Sequence, residues 1–355
     1  MNDAKFIIAS CCGGLCNKLI TLVVSIYISR KSNRELLIIW QNSYSSCCDF
    51  NNLFKTNVFN VLQTNDTSLV EFSHQNSVEI PIDEGNKLED IKYNINYFFD
   101  FFKLDKNNFS EDYISLLSDE LSNWNNIFTY QHHQPSTIDR NILTRDGYSW
   151  NIDEEHILDN KCPIIKYTDN LIPTFMDLAE FGKIAKELES YFCENITQQI
   201  NNVLLDKKIN KDVLSIHERR TDFVFHDAHK RELDEKLICK INNIIANNKD
   251  QKIYIACDDN EVKINVGKLY PNNIICMNNN SNPFFKDNYN KYSGHDDLCN
   301  NQGMWRLEDF VIKGLVELYV LSYTNLKIEN CSSKIDTYFG VASTYALYAY
   351  SMCQI

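Results

Sequence analysis

The stretch Ser215-Ile216-His217-Glu218-Arg219-Arg220-Thr221-Asp222 brings a histidine, two adjacent arginines and two carboxylates to the end of the apolar run Val213-Leu214-Ser215-Ile216. That run reads as a buried strand, and open α/β sheets bind ligands beyond the carboxyl ends of their strands. A guanidinium stays charged in a low-dielectric cleft and pairs in a two-pronged way with phosphate oxygens. Two of them side by side point to an anionic ligand, with Asp222 holding one guanidinium and leaving the other for that ligand. A purely structural Arg–Asp pair at the strand end is the competing reading, because such pairs are common.

Five smaller groups accompany it. Glycine is scarce, 10 in 355 residues, against a usual ~7%, so the adjacent pair in Gly13-Gly14-Leu15-Cys16-Asn17-Lys18-Leu19 stands out. Glycines there let the backbone approach a ligand closely, and the Asn17 amide donates or accepts; a tight turn with a capping Asn is the alternative. Asp258-Asp259 closes an apolar run at 252–257 and serves either as paired acceptors for a base or ribose or as the cap of the next helix. Glu317 lies in an amphipathic helix, as a ligand contact or as a solvated carboxylate. Ser332-Ser333 falls at a strand-to-helix junction, where hydroxyls and amides bind phosphate or simply cap the helix. His295-Asp296-Asp297 reads as part of a solvated loop rather than as a cation site.

These groups need elements to hold them. Residues 5–10 read as a buried strand, 17–30 as a helix with one apolar face, and 35–40 as a second strand, which makes a βαβ unit with parallel pairing. The stretch 41–162 mixes aromatic clusters such as Tyr97-Phe98-Phe99 with polar loops, and its strand order is not legible. A strand at 163–167 precedes one long amphipathic helix over 178–203. After a charged break at 207–212 the rhythm is regular: strands at 213–216, 252–257, 273–277 and 326–329, helices at 231–246, 260–270 and 305–322, and a terminal helix from 332. The Asn-rich stretch 278–303 is long enough for a lid or binding loop. The expected organisation is two Rossmann-like doubly wound domains facing across a cleft. Residues 1–206 form the first, with insertions, 207–335 the second, and 336–355 a terminal helix that packs back on the first domain as one option.

Composition narrows the partners. With 35 basic and 48 acidic side chains the net charge is −13, which argues against nucleic acid, since a polyphosphate wants a basic face. No apolar run approaches the ~18–20 residues of a membrane helix. The opening MNDAKFIIAS carries acid where a signal peptide carries base, and the 13 cysteines are odd in number and scattered. Reduced thiols in a cytoplasmic setting are therefore expected. Absence of a paired C-x-x-C or an H-E-x-x-H leads to the expectation of no structural metal.

H-x-R-R-x-D after a strand resembles the first conserved motif of the fucosyltransferase superfamily that includes α1,6- and α1,2-fucosyltransferases and protein O-fucosyltransferases. The turn Gly13–Leu19 is similar to its G-G-L-G-N-[RQ]-[LM], with Cys16 in place of glycine and Lys18 in place of Arg or Gln. The run 254–262 looks like its strand ending in [TS]-D-D/N. The run 314–322 followed by Cys331-Ser332-Ser333 looks like its D-x-x-x-L-S … S-S segment, with Glu317 replacing Asp. The four pieces occur in order and span most of the chain outside the middle of the first domain. The resemblance implies a GT-B-like fold and an inverting, metal-independent glycosyltransferase that moves L-fucose from GDP-fucose to a glycan, glycolipid or protein hydroxyl, with no cofactor beyond that donor. It assigns Arg219 the main pyrophosphate contact and gives His217 and Asp222 supporting roles, and Arg219 and Arg220 are both expected to meet the diphosphate; Glu218 lies outside the pattern and reads as exposed. Asp227 falls where the α1,6-enzymes carry an acidic residue and is the candidate base, with Glu218, Asp222 and His226 as rivals. The same site with another nucleotide sugar, and a non-catalytic sugar-nucleotide or glycan binder, are the alternatives.

Overall fold

The computed structural model describes residues 4–43, 45–65, 94–122, 129–130, 164–167, 176–220, 227–277, 284–285, 304–331, 344–353 and 355. The chain divides into two compact units, Met1–Cys193 and Glu194–Ile355.

In the first unit, β1 (Phe6–Cys11), α1 (Leu15–Ser32) and β2 (Glu35–Asn42) form the anticipated βαβ unit. A single turn α2 (Phe50–Leu53), β3 (Asn60–Asn65), α3 (Ile95–Phe101), α4 (Glu111–Ser122), β4 (Thr129–Tyr130), β5 (Ile164–Tyr167) and α5 (Leu178–Glu187) complete it. The strands lie in the order β3-β2-β1-β5-β4, and every pairing is parallel. Central parallel strands are covered on both faces and so run apolar without alternation; Phe6, Ile7, Ile8 and Ala9 have no exposed surface. On one side Phe6, Ile8, Leu37 and Ile39 pack against Phe98, Phe99 and Phe102 of the α3 segment and Leu117 of α4. The aromatic cluster that resists reading as sequence is thus the lid of this core.

The second unit begins with α6 (Glu194–Asp206) and continues with β6 (Leu214–Glu218), α7 (Asp227–Asn247), β7 (Ile253–Cys257), α8 (Asn260–Leu269) and β8 (Ile274–Cys276). A short antiparallel pair, β9 (Phe284–Phe285) with β10 (Met304–Trp305), precedes α9 (Glu308–Ser322), β11 (Asn325–Cys331) and α10 (Thr344–Cys353). The sheet order is β11-β6-β7-β8, again all parallel. Helix α10 packs on α9 and β11 within this unit.

The first strand of each unit occupies the same kind of place. β1 lies between β2 and β5, and β6 between β7 and β11, so the chain leaves each strand toward one side and later returns on the other. Such a reversal of strand order opens a crevice at the carboxyl end, where ligands of open α/β sheets sit. Gly13-Gly14 follows β1 and Arg219-Arg220 follows β6.

One expected element is two. The apolar face over 178–203 is interrupted: α5 ends at Glu187, a 3-10 turn spans Leu188–Tyr191, and Phe192 is extended with φ −64 and ψ 149. The backbone groups released there are taken by the neighbouring segment. Lys55 N–H donates to the Tyr191 carbonyl at 2.8 Å and Cys193 N–H donates to the Leu53 carbonyl at 3.0 Å. Periodicity alone carries no trace of such a tertiary interruption.

Truncating Phe98, which has no exposed surface, is expected to cost about 3–5 kcal/mol. Urea unfolding of Phe98→Ala checks this as a lower midpoint at unchanged slope; a loss under about 1 kcal/mol would remove α3 from the core.

Candidate functional site

In the first unit, Gly13 has φ +76, a left-handed conformation that a side chain strains, and a Cβ there would meet Asn17 Nδ2 at 3.4 Å. Gly14 caps α1 in an extended conformation, and its carbonyl accepts the Lys18 N–H at 3.1 Å. Asn17 lies in the first turn of α1, where its carbonyl accepts from the Thr21 hydroxyl. Lys18 is the surprise. It is completely buried, its Nζ donates to the Ser46 carbonyl at 2.8 Å, and it sits 4.8 Å from the centroid of the Trp40 ring. Burial pulls its pKa down to about 8, against the opposing pull of the Cys11, Cys48, Cys47 and Cys12 thiols. The turn that Lys18 holds also touches the glycine corner, because the Ser43 hydroxyl donates to the Gly13 carbonyl at 3.4 Å.

In the second unit the end of β6 is a cluster of buried polar groups. His217, Glu218 and Arg220 are 5%, 6% and 1% exposed, and Arg219 is half-buried. Glu218 is therefore inside, not exposed. Its Oε2 lies 3.5 Å from Arg220 Nε, and Arg220 Nη1 donates to Asp234 Oδ1 of α7 at 2.9 Å. The backbone N–H of Arg220 donates to Asp258 Oδ1 at 2.7 Å, which fastens the chain after β6 to the end of β7. Arg220 is thus held by β6, β7 and α7 together. Its Nη2, like His217 Nδ1, is buried without a hydrogen-bond partner among the described residues.

His217 stacks on Tyr345 of α10, with ring centroids 5.0 Å apart and planes 19° off parallel. Burial first, then the positive charges of Arg219 and Lys240, push its pKa down to about 3. The imidazole is neutral at any ordinary pH.

The other sequence candidates fall as follows. Asp259 caps α8, its Oδ1 accepting the Glu261 N–H at 2.8 Å. Glu317 is buried in α9, and Lys263 Nζ donates to its Oε1 at 2.9 Å; burial holds its carboxyl above the usual range, with Lys263 opposing. Asp227 opens α7, its side chain lying outside the described residues. Asp222, His226, Ser332, Ser333 and the 295–297 triplet also lie outside them. His217, Arg219, Arg220 and Asp258 come together at the ends of β6 and β7, whereas Glu317 is engaged with α8. Asp234 and Tyr345 were not singled out in the sequence. Asp234 is one of many acidic residues in a charged helix, and Tyr345 is one of 19 tyrosines. Among the described residues no group of three or more His, Cys, Asp or Glu gathers where a metal ion could sit. No helix among them is long and apolar enough to cross a membrane.

No protein-family model matches the chain, and no curated protein matches it. Solved structures do. The fucosyltransferase NodZ from Bradyrhizobium is 13% identical, with 98% of this chain and 92% of that one covered at a TM-score of 0.47. FUT1 of Arabidopsis thaliana in complex with GDP is 10% identical, with 98% and 69% covered at a TM-score of 0.45. POFUT1 in complex with GDP-fucose is 9% identical, with 99% and 94% covered at a TM-score of 0.38. Likeness at this level assigns no role to any residue.

The low His217 pKa has a consequence for stability. The unfolded chain takes up a proton near pH 6.5, and the folded chain not until about 3, so this group's contribution is full above about pH 6.5 and falls as pH drops toward 3. Wild type is expected to lose up to about 1.4 kcal/mol per pH unit more than His217→Gln over that window. Parallel urea titrations at pH 7, 5.5 and 4.5 check it; identical slopes would mean that the imidazole ionises in the folded state.

Proposed function

We propose that the protein is an inverting, metal-independent glycosyltransferase that moves L-fucose from GDP-fucose to a hydroxyl of a glycan, glycolipid or protein acceptor. The observation that carries the reading is the H-x-R-R-x-D sequence at the carboxyl end of β6, where the strand order of the second sheet reverses. It is supported by the frame at this corner, where Glu218, Asp234 and Asp258 build Arg220 into the protein next to the half-buried Arg219, the residue assigned to the diphosphate in this reading. Buried polar atoms left unmatched at the same corner, Arg220 Nη2 and His217 Nδ1, are what a site completed by a polar ligand leaves behind.

In this reading the acceptor oxygen attacks the sugar carbon and the bond from that carbon to the β-phosphate oxygen breaks. The electron pair leaves with GDP, and the acceptor proton passes to a base. Negative charge grows on the β-phosphate as the bond opens, so a fixed guanidinium there stabilises the transition state more than the ground state. Asp227 is the base in this scheme, with Asp222 and His226 as rivals; Glu218, buried and paired with Arg220, is the least suited. His217, neutral, offers a hydrogen bond to the nucleotide rather than a charge. Asp258 serves by holding the Arg220 N–H. Ser332-Ser333 contact phosphate in this scheme.

Two experiments test this. Release of GDP from GDP-fucose is expected to fall at least about 100-fold in Arg219→Ala, with partial return in Arg219→Lys, which keeps the charge and loses the fork. Equal turnover in all three would end the transferase reading. In thermal-shift titrations GDP is expected to raise the melting temperature while UDP, ADP and CDP do not; stabilisation by UDP alone would remove GDP-fucose as donor.

A further inference from the structure

A buried histidine is normally oriented by a hydrogen bond to one ring nitrogen, which fixes both its tautomer and its plane. His217 has no such bond at Nδ1 among the described residues. What meets its ring instead is Tyr345, near-parallel at 19° with centroids 5.0 Å apart. Tyr345 is itself anchored. Its hydroxyl donates to the Gly314 carbonyl in α9 at 2.9 Å, so the phenol cannot tilt without giving up that bond.

The helix that carries Tyr345 is fastened along its length. The Tyr348 and Tyr319 hydroxyls lie 3.2 Å apart in the interior, the Cys353 thiol reaches the Leu321 carbonyl at 3.5 Å, and Lys211 Nζ bridges the Ser322 and Cys353 carbonyls at 3.2 and 3.4 Å. The frame behind His217 therefore runs from α9 through α10, elements far beyond the motif in the sequence.

We infer that Tyr345 is a positioning residue: its anchored ring sets the plane of His217 and so aims the imidazole at the nucleotide. The assignment rests on the proposed nucleotide site, but the stack itself can be tested apart from it. Tyr345→Ala frees the ring of His217, whereas Tyr345→Phe keeps the stack and loses only the Gly314 anchor.

The protein labelled with 13C-histidine reports the order of the His217 ring, with the resonance assigned by its loss in His217→Ala. Wild type and Tyr345→Phe are expected to show one sharp ring signal, and Tyr345→Ala a broadened or doubled one. By calorimetry, GDP affinity is expected to fall about 3- to 10-fold in Tyr345→Ala, the scale of one aromatic pair, and less in Tyr345→Phe. Adding Tyr345→Ala to His217→Ala is expected to cost nothing further. A single ring signal as sharp as in wild type in Tyr345→Ala overturns the inference, as does a strictly additive double variant. If His217→Ala leaves GDP affinity intact while the ring signal still responds to Tyr345, the nucleotide role of His217 fails and the positioning of the ring stands. Should Tyr345→Ala not fold, a Tyr345→Leu variant that keeps the bulk without the stack gives the same two readouts.

Discussion

A guanidinium with 1% of its surface exposed has to be surrounded by acceptors, because an unpaired charge in the interior costs several kcal/mol. Arg220 meets that demand in part, through Glu218 and Asp234 with Nη2 left unmatched, and in doing so it draws together three elements that are separate in sequence. Glu218 comes from its own strand, Asp234 from α7, and Asp258 from the end of β7 takes its backbone N–H. Buried ion pairs are poor sources of net stability, and removing one partner is destabilising by about 3–5 kcal/mol. Their value lies in fixing geometry. Here the fixed geometry is the corner where the chain leaves β6, and Arg219 and His217 are its immediate neighbours.

The same logic recurs in the second unit and in the first. Lys263 and Glu317 form a second internal pair that ties α8 to α9. In the first unit the ammonium of Lys18 is lodged under the turn that follows β2. Lys18 and Arg220 lie beside the segments that follow β2 and β6, whereas the buried Arg34 donates to the Phe6 carbonyl at the start of β1 at 3.3 Å.

Much of this was legible in the sequence. Continuous apolar runs such as Phe6-Ile7-Ile8-Ala9 and Ile253-Tyr254-Ile255-Ala256 announce buried parallel strands, and the regular alternation after residue 212 gives the second sheet nearly element for element. The middle of the first unit was opaque for a physical reason. β3 reads Asn60-Val61-Leu62-Gln63-Thr64-Asn65, polar at most positions, and becomes a strand only because β2 offers it an edge. The arginine motif was visible as chemistry, but not the roles within it. Asp234 lies 14 residues from Arg220 and Lys263 lies 54 from Glu317, separations at which no local pattern survives. Asp259 was readable both as a cap and as a ligand; its hydrogen bond to the Glu261 N–H is the capping geometry.

The claim on which the functional account turns is that the carboxyl end of β6 receives a nucleoside diphosphate. A crystal structure of the protein with saturating GDP addresses it most directly. The account places β-phosphate oxygens within about 3 Å of the Arg219 guanidinium, with Arg220 still held by Glu218 and Asp234. GDP bound away from β6, or Arg219 turned from the phosphates while they are well ordered, would contradict it.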